Sequence, residues 1–205
     1  CDLGESNFLE ESFKECENSK EDMNFAELYL KKVNNKTNLK ITINKNLNNY
    51  LYTGFIASQI PNARIIHCFR NPLDNILSIY RANFKRGNEY SSSLADCARI
   101  YLDQENVMKI YKNRFPAKIY ALNYDSLVTK PNQEIKSLIK WLGWEWDDSY
   151  LSPHLNTRSV STASNIQVRS PINAKSIGGW KNYKEMLKPA IAIITQIDRY
   201  RNLIL

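Results

Sequence analysis

Arg70 stands between two elements that the sequence predicts, and its position suggests chemistry with an anion. Residues 64–69, RIIHCF, form a short apolar run that predicts a strand covered on both faces, as in a parallel sheet. Pro72 suits the first position of a helix, and Asn71 suits the cap before it. Ligands of open α/β sheets bind beyond the carboxyl ends of the strands, so we expect Arg70 to face a ligand.

A polar stripe follows on the predicted helix. Helical spacing places Asp74, Asn75 and Ser78 on one side. An arginine fork, a helix N-terminus and the Ser78 hydroxyl two turns later have the chemistry to hold one phosphate. In the alternative interpretation Arg70 pairs with Asp74 and Ser78 is incidental. The opposite side of the helix is predicted to face the core through Leu73, Ile76, Leu77 and Tyr80.

Lys45 adds a second cation and favours the anion-site interpretation. It follows residues 39–43, LKITI, which predict a short strand, so we expect the lysine at the same edge of the sheet as Arg70. There it can act as a point charge on a phosphate or a leaving group. Taken alone, it is better described as a solvated lysine in a turn.

A long polar segment late in the chain adds further groups of the same kind. Residues 152–180 are rich in Ser, Thr and Asn and lack periodicity, which predicts a functional or disordered loop. Arg169 offers a second guanidinium, and Gly178 with Gly179 lets the backbone approach a ligand. Two aromatic residues are predicted to pin this segment to the core, namely Trp180 and Tyr183.

The elements around these residues alternate between strand and helix. Helical periodicity covers residues 7–33, and the chain of 205 residues fits one α/β domain, 1–205, with a parallel sheet flanked by helices on both faces. Further strands are predicted at 39–43, 64–69 and 117–122, and further helices at about 50–59, from 72, at 94–113, 132–142 and 189–203.

Composition narrows the classes of function. The chain has only two histidines, which excludes a histidine-rich metal site, and its four cysteines show no C-x-x-C spacing, which favours a reducing compartment. The net charge of +7 suggests an anionic partner, although solvated surface charge is the better explanation of the net charge alone. We expect no nucleic-acid partner, because no basic stripe with interleaved aromatic residues is present. No apolar run of membrane-spanning length occurs, so no transmembrane helix is expected and no membrane partner is evident.

Three motifs, in order, resemble those of sulfotransferases that use 3′-phosphoadenosine 5′-phosphosulfate (PAPS). Residues 60–80 resemble the pattern FPxARxIHxxRxPLDxxLSxY, residues 124–128 resemble YExLV, and residues 162–180 resemble TASxxQVRxPI followed by GxW. The likeness covers nearly the whole chain and is to the bacterial tetratricopeptide-linked and tyrosylprotein-type branch. It implies a fold like that of P-loop nucleoside triphosphatases.

The resemblance assigns the nucleotide-binding roles. It implies that Arg70 and Ser78 bind the 3′-phosphate of the donor, that Arg169 reaches the same phosphate, and that Tyr124 lies near the adenine.

It also assigns the catalytic roles. Lys45 neutralises charge on the sulfate and its leaving phosphate, Ser164 contacts the transferring group, and Glu5 deprotonates the acceptor. Sulfuryl transfer needs in-line positioning and charge neutralisation, and it needs no metal.

The family's early 5′-phosphosulfate loop, of the type RSGTT, has no match in the sequence. Because the Gly4-Glu5 match stands at the very start, that strand, loop and helix would precede Cys1, together with a possible tetratricopeptide region. We therefore expect an N-terminally truncated domain that binds PAPS weakly or not at all and is inactive alone. Asp125 and Asn71 also depart from the family's Glu and Asp at these positions.

The sequence thus predicts a sulfotransferase domain acting on a hydroxyl or amine, with the acceptor unidentified and a cytoplasmic location. The alternative is a noncatalytic sulfotransferase-like module that binds a nucleotide, an anionic glycan or a protein partner. Acceptor pockets are built from variable loops, so tyrosine, sugar, lipid and small-metabolite acceptors all stay open.

Overall fold

A computed structural model of the chain describes residues 2–19, 24–82, 84, 87–157 and 167–203. The chain divides into two compact units. Unit 1 comprises Cys1–Ile65 and Val107–Ile119, and unit 2 comprises Ile66–Asn106 and Tyr120–Leu205. The expectation of one sulfotransferase-like domain over 1–205 stays a prediction.

Eight α-helices and two β-strands are present in the described part of the chain. The helices are α1 Phe8–Asn18, α2 Phe25–Lys36, α3 Thr53–Gln59, α4 Pro72–Ala82, α5 Leu94–Arg114, α6 Tyr124–Thr129, α7 Pro131–Leu142 and α8 Lys188–Ile194. The strands are β1 Ile65–Phe69 and β2 Ile119–Asn123. Most predicted elements are confirmed within a few residues, and the periodic region 7–33 is two helices.

Aromatic packing organises unit 1. The ring of Phe55, on α3, lies 5.3 Å from the ring of Phe13 on α1 and 5.3 Å from that of Phe25 on α2. Asn24 caps α2 by accepting the N–H groups of Ala26 and Glu27, so the second helix begins where its cap allows. These rings hold the three helices of this unit together.

The predicted strand at 39–43 is wrong. Of these residues only Ile43 forms a bridge, a parallel one with Asp2, supported by the Leu3 N–H donating to the Ile43 carbonyl at 2.7 Å. The side chains of Leu39 and Ile41 are exposed. The alternation of apolar and polar residues makes the segment extended, but a strand also needs a ladder of hydrogen bonds with a neighbour.

β1 and β2 pair in a small parallel sheet, as expected for an α/β protein. The prediction that β1 is covered on both faces is wrong. His67 is buried, whereas Ile66 is 40% exposed and Cys68 is exposed. Successive side chains of a strand point to opposite faces, so the described residues cover only the His67 face of β1.

The core of unit 2 is built from α4, α5, α8 and the segment around Trp180. α4 buries Leu73, Ile76 and Leu77 as predicted, but Tyr80, also predicted to face the core, is exposed. α5 packs against α4 with small and aromatic residues. The fully or nearly fully buried members are Leu73, Ile76, Leu77, Cys97, Ala98, Tyr101, Trp180, Leu187, Ala190 and Ile194.

The last predicted helix is shorter than expected. The sequence predicts a helix over 189–203, but α8 ends at Ile194 and a 3₁₀ turn, Asp198–Tyr200, follows. In contrast, α7 ends as predicted, because Gly143 adopts the left-handed conformation (φ 73°) that closes the helix. None of the described helices is long and apolar enough to cross a membrane.

Candidate functional site

The junction after β1 is built as the sequence predicts. The Asn71 side-chain oxygen accepts the N–H groups of Leu73 at 2.9 Å and Asp74 at 3.2 Å, and Pro72 is the first residue of α4. This cap stabilises the start of the helix and fixes the direction in which the chain leaves the strand. Arg70 is thereby held between a strand end and a helix start.

The guanidinium of Arg70 is surrounded by groups from distant parts of unit 2. Its Nη2 donates to the carbonyl of Ser176 at 3.0 Å, and its carbon lies 4.9 Å from the ring centre of Tyr124. Its Nε is buried and has no hydrogen-bond partner among the described residues. The structure therefore brings together two predicted nucleotide-binding residues and leaves one arginine donor without a described partner.

Arg70 and Asp74 are neighbours, but not a close ion pair. Arg70 Nη2 lies 4.0 Å from Asp74 Oδ2, which is longer than the roughly 2.7–2.9 Å of a charge-assisted hydrogen bond. The alternative interpretation, that Arg70 serves only to pair with Asp74, is thus weakened by the geometry.

The carboxylate of Asp74 binds the backbone of the late segment instead. Its Oδ2 accepts the Gly178 N–H at 2.7 Å, and its Oδ1 accepts the Trp180 N–H at 2.9 Å. Gly178 has φ of 71°, a conformation that favours glycine. The glycine pair, predicted to let the backbone approach a ligand, here lets it approach a carboxylate of the chain itself.

The two aromatic residues of this segment behave differently. Trp180 is buried, as predicted. The prediction for Tyr183 is wrong, because its side chain is exposed and its ring lies 5.9 Å from the guanidinium carbon of Arg81. Both residues lie in the 3₁₀ helix Gly179–Tyr183, but only Trp180 is buried in the core of unit 2.

Tyr124 opens α6 directly after β2. The side chain of Asn123 caps this helix by accepting the N–H groups of Asp125 and Ser126. The Tyr124 hydroxyl lies 3.3 Å from the Ser176 hydroxyl, so both it and Arg70 contact residue 176. Ser176 was not predicted, and no local pattern in the sequence marks it.

Tyr101, on α5, supports the backbone of Arg70. Its hydroxyl donates to the Arg70 carbonyl at 3.1 Å and lies 3.4 Å from the hydroxyl of Tyr200. Burial raises the pKa of Tyr101 far above its ordinary value, so the hydroxyl keeps the proton that it donates. This residue was also missed by the sequence analysis, which placed α5 only as a packing element.

Ser78 and Arg169, predicted to join Arg70 at the phosphate, are both exposed. Ser78 lies on α4, one turn beyond Asp74, and its hydroxyl has no partner among the described residues. Arg169 lies in the 3₁₀ turn Gln167–Arg169 and donates to the carbonyl of Asn156. Its approach to the phosphate stays a prediction.

Two of the predicted catalytic residues meet in unit 1. Lys45 Nζ forms an ion pair with the carboxylate of Glu5, and the Lys45 N–H donates to the Gly4 carbonyl at 3.3 Å. Both side chains are about half exposed. Ser164, the third, lies outside the described residues.

Metal ligation was tested on the same residues. In the described ranges, no group of three or more His, Cys, Asp or Glu side chains is placed to hold a metal ion.

Comparisons with known proteins identify the class. The structure resembles the sulfotransferase domain from the curacin biosynthetic pathway, with a TM-score of 0.53 over 95% of this chain and 79% of that one. Sequence identity is 13%, so this likeness concerns the fold alone. The model of the sulfotransferase family matches residues 5–148. The chain therefore belongs to the sulfotransferase family.

A relative at the sequence level is an uncharacterized protein of Aquifex aeolicus, 33% identical over 157 residues. The match covers 75% of this chain but only 21% of that protein. The chain thus spans about a fifth of the length of this relative.

Proposed function

We propose that this chain carries donor-binding and transfer residues of an enzyme that moves a sulfuryl group from PAPS to a hydroxyl or amine acceptor. Membership of the sulfotransferase family supports this proposal, because that family generally uses PAPS as its donor. The observation that supports this proposal most directly is the environment of Arg70. A guanidinium at a strand end, with a buried Nε that lacks a partner among the described residues, suits a phosphate.

Unit 2 supplies the proposed nucleotide-binding residues. Arg70 binds the 3′-phosphate through its fork, exchanging the neutral carbonyl of Ser176 for charged oxygens. Ser78 adds a hydroxyl from α4, and Arg169 adds a second cation. Tyr124, whose ring already lies against the Arg70 guanidinium, offers an aromatic face near the adenine.

Unit 1 supplies two of the proposed transfer residues. Glu5 accepts the proton of the acceptor hydroxyl or amine while the acceptor atom forms its bond to sulfur. Lys45 neutralises the charge that develops on the leaving phosphate oxygen as the old sulfur–oxygen bond breaks. The two side chains form an ion pair, so the proposed base and the proposed charge neutraliser are neighbours. Ser164 is proposed to contact the transferring group.

The test is a nuclear magnetic resonance titration, because it detects weak binding. The isotope-labelled chain is titrated with 3′-phosphoadenosine 5′-phosphate and, separately, with adenosine 5′-monophosphate, which lacks the 3′-phosphate. We expect the first to bind at least about tenfold more tightly, since hydrogen bonds to a charged group contribute about 1.5–3 kcal/mol. Shifts are expected in the amide signals of Arg70, Ser78 and Tyr124.

A matched pair of variants assigns the effect. Arg70→Ala should abolish the preference for the 3′-phosphate. Arg99→Ala removes the same charge from an exposed site on α5, where Arg99 pairs only with Asp96, and should leave the preference intact. A wild-type chain that binds both nucleotides equally would overturn the proposal and favour the noncatalytic module, to be sought with anionic glycans and protein partners.

A further inference from the structure

Asp74 is a buried carboxylate of unit 2, and no ligand-binding role was predicted for it. It is 3% exposed, and three groups meet at its two oxygens. These are the N–H of Gly178, the N–H of Trp180 and, at 4.0 Å, the guanidinium of Arg70. A buried charge of this kind must be compensated, and here two backbone donors and one cation compensate it.

The geometry leaves the donors of Arg70 available. A carboxylate next to an arginine normally forms a close, often bidentate pair that uses two of the five donors. The Asp74 oxygens instead accept from the backbone of the late segment, and Arg70 stays 4.0 Å away. Asp74 therefore attracts the guanidinium without occupying its fork, which keeps the Arg70 Nε free of a described partner.

The same carboxylate holds the segment that contacts Arg70 from the other side. Gly178 and Trp180 follow closely after Ser176, whose carbonyl accepts from Arg70 and whose hydroxyl lies next to that of Tyr124. Fixing the N–H groups of residues 178 and 180 fixes the position of residue 176. The Asp74 side chain thus fixes the position of Arg70 and also the position of residues 176–180.

We propose that Asp74 is a positioning residue for 3′-phosphate recognition, aligning Arg70 and the 176–180 turn as one anion-binding unit. This inference rests on the proposed function, because it assigns to Arg70 the binding of a nucleotide 3′-phosphate. Asp74 itself does not touch the nucleotide. It acts through Arg70 and through the backbone of the late segment.

The first measurement needs no nucleotide. Amide hydrogen exchange at Gly178 and Trp180 is followed in the wild-type chain, in Asp74→Asn and in Asp74→Ala. We expect faster exchange at both amides in Asp74→Ala and at one of them in Asp74→Asn, since an amide side chain offers one acceptor oxygen. Asp103→Ala, which removes an exposed carboxylate on α5, should exchange like the wild type. Unchanged exchange at both amides in Asp74→Ala would overturn the inference.

The second measurement separates positioning from mere stability. In Asp74→Asn the preference for 3′-phosphoadenosine 5′-phosphate over adenosine 5′-monophosphate should fall at least about fivefold, a loss within the range for one charged contact. The affinity for the monophosphate should not change, whereas general loosening would weaken both. Near-ultraviolet circular dichroism, which reports on buried Trp180, confirms that the variant is folded.

The outcomes distinguish the inference from the proposed function. A wild-type chain without preference for the 3′-phosphate overturns the proposed function, and the role of Asp74 falls with it. A wild-type chain with that preference, together with an Asp74→Asn variant that keeps it, overturns only the role of Asp74. Loss of the preference in Asp74→Asn but not in Asp103→Ala supports both.

Discussion

The backbone N–H of Asn71 donates to the carboxylate of Asp125 across 2.9 Å, and this bond joins the residue after Arg70 to the residue after Tyr124. It therefore ties together the chain segments that leave β1 and β2, the two strands of the described sheet. The second oxygen of Asp125 is buried and has no hydrogen-bond partner among the described residues. Asp125 thus links the two proposed nucleotide-binding positions, Arg70 and Tyr124, through this hydrogen bond.

Replacing Asp125 by Ala should lower the free energy of unfolding by about 1–3 kcal/mol, because a partly buried N–H loses its acceptor. Asp125→Asn keeps the shape and one acceptor oxygen, so its loss should be smaller. Urea denaturation measures both, with Asp103→Ala as the control for removing a carboxylate. Equal stability of Asp125→Ala and the control would show that the hydrogen bond between Asn71 and Asp125 contributes nothing to the free energy of unfolding.

Ser78 offers the opposite case, a residue with a proposed function but without a structural partner. Ser78→Ala should change the free energy of unfolding by less than about 0.5 kcal/mol, as is usual for exposed positions. It should nevertheless weaken binding of 3′-phosphoadenosine 5′-phosphate about tenfold, the cost of one hydrogen bond to a charged group.

Ser137→Ala is the matched control for Ser78→Ala, because it removes an exposed hydroxyl from another helix of unit 2, α7. Nucleotide binding should be unchanged in this control. If Ser78→Ala binds the nucleotide as tightly as Ser137→Ala does, Ser78 has no part in the site.

Local sequence patterns were sufficient to predict those parts of the structure that depend on residues close together in the sequence. The start of α4 follows from Asn71 and Pro72, and the end of α7 follows from Gly143, because caps act within a few residues. The position of Arg70 at the end of β1 was predictable for the same reason. These short-range rules locate individual candidate residues but not their surroundings.

Contacts between distant parts of the chain could not be predicted. Gly178 is 104 positions from Asp74, and nothing in the local sequence pairs them. The failure at residues 39–43 has a related cause, since alternation predicts an extended segment while a strand depends on a neighbour elsewhere in the chain. The same holds for Tyr101, whose hydroxyl contact with Arg70 spans 31 positions.

Alkaline pH should destabilise the chain through Cys97. Burial raises the pKa of this thiol from its ordinary 9.0 to about 11, with a smaller contribution from neighbouring Asp96. The unfolded chain therefore loses this proton at lower pH than the folded chain does. The contribution of the Cys97 thiol to the free energy of unfolding should be constant below about pH 9. It should fall as the pH rises towards about 11.

Urea denaturation at a series of pH values tests this contribution in the wild type and in Cys97→Ala. The variant should be less stable throughout, because a fully buried side chain is truncated, but its stability should fall less steeply above about pH 9. Buried tyrosines such as Tyr101 are present in both proteins, so their effect cancels in the difference. Parallel pH curves for the two proteins would contradict the assignment to Cys97.

The Glu5–Lys45 ion pair should matter for transfer and hardly at all for stability. Both side chains are about half exposed, and exposed pairs contribute only about 0–1 kcal/mol. Glu5→Gln and Lys45→Ala should therefore unfold nearly like the wild type. If the two residues act as base and charge neutraliser, each substitution should slow single-turnover transfer from PAPS to a simple phenol by about 10²–10⁴-fold, measured in a form of the protein that has transfer activity.

Unit 1 contains a matched control for this prediction. Lys14 and Glu10 form another exposed ion pair, on α1, with the same charges and no proposed role. Glu10→Gln and Lys14→Ala should leave the transfer rate unchanged while causing similarly small changes in stability. A fall in rate of equal size in both pairs would trace the effect to surface charge, and a large loss of stability in Lys45→Ala would make the pair structural.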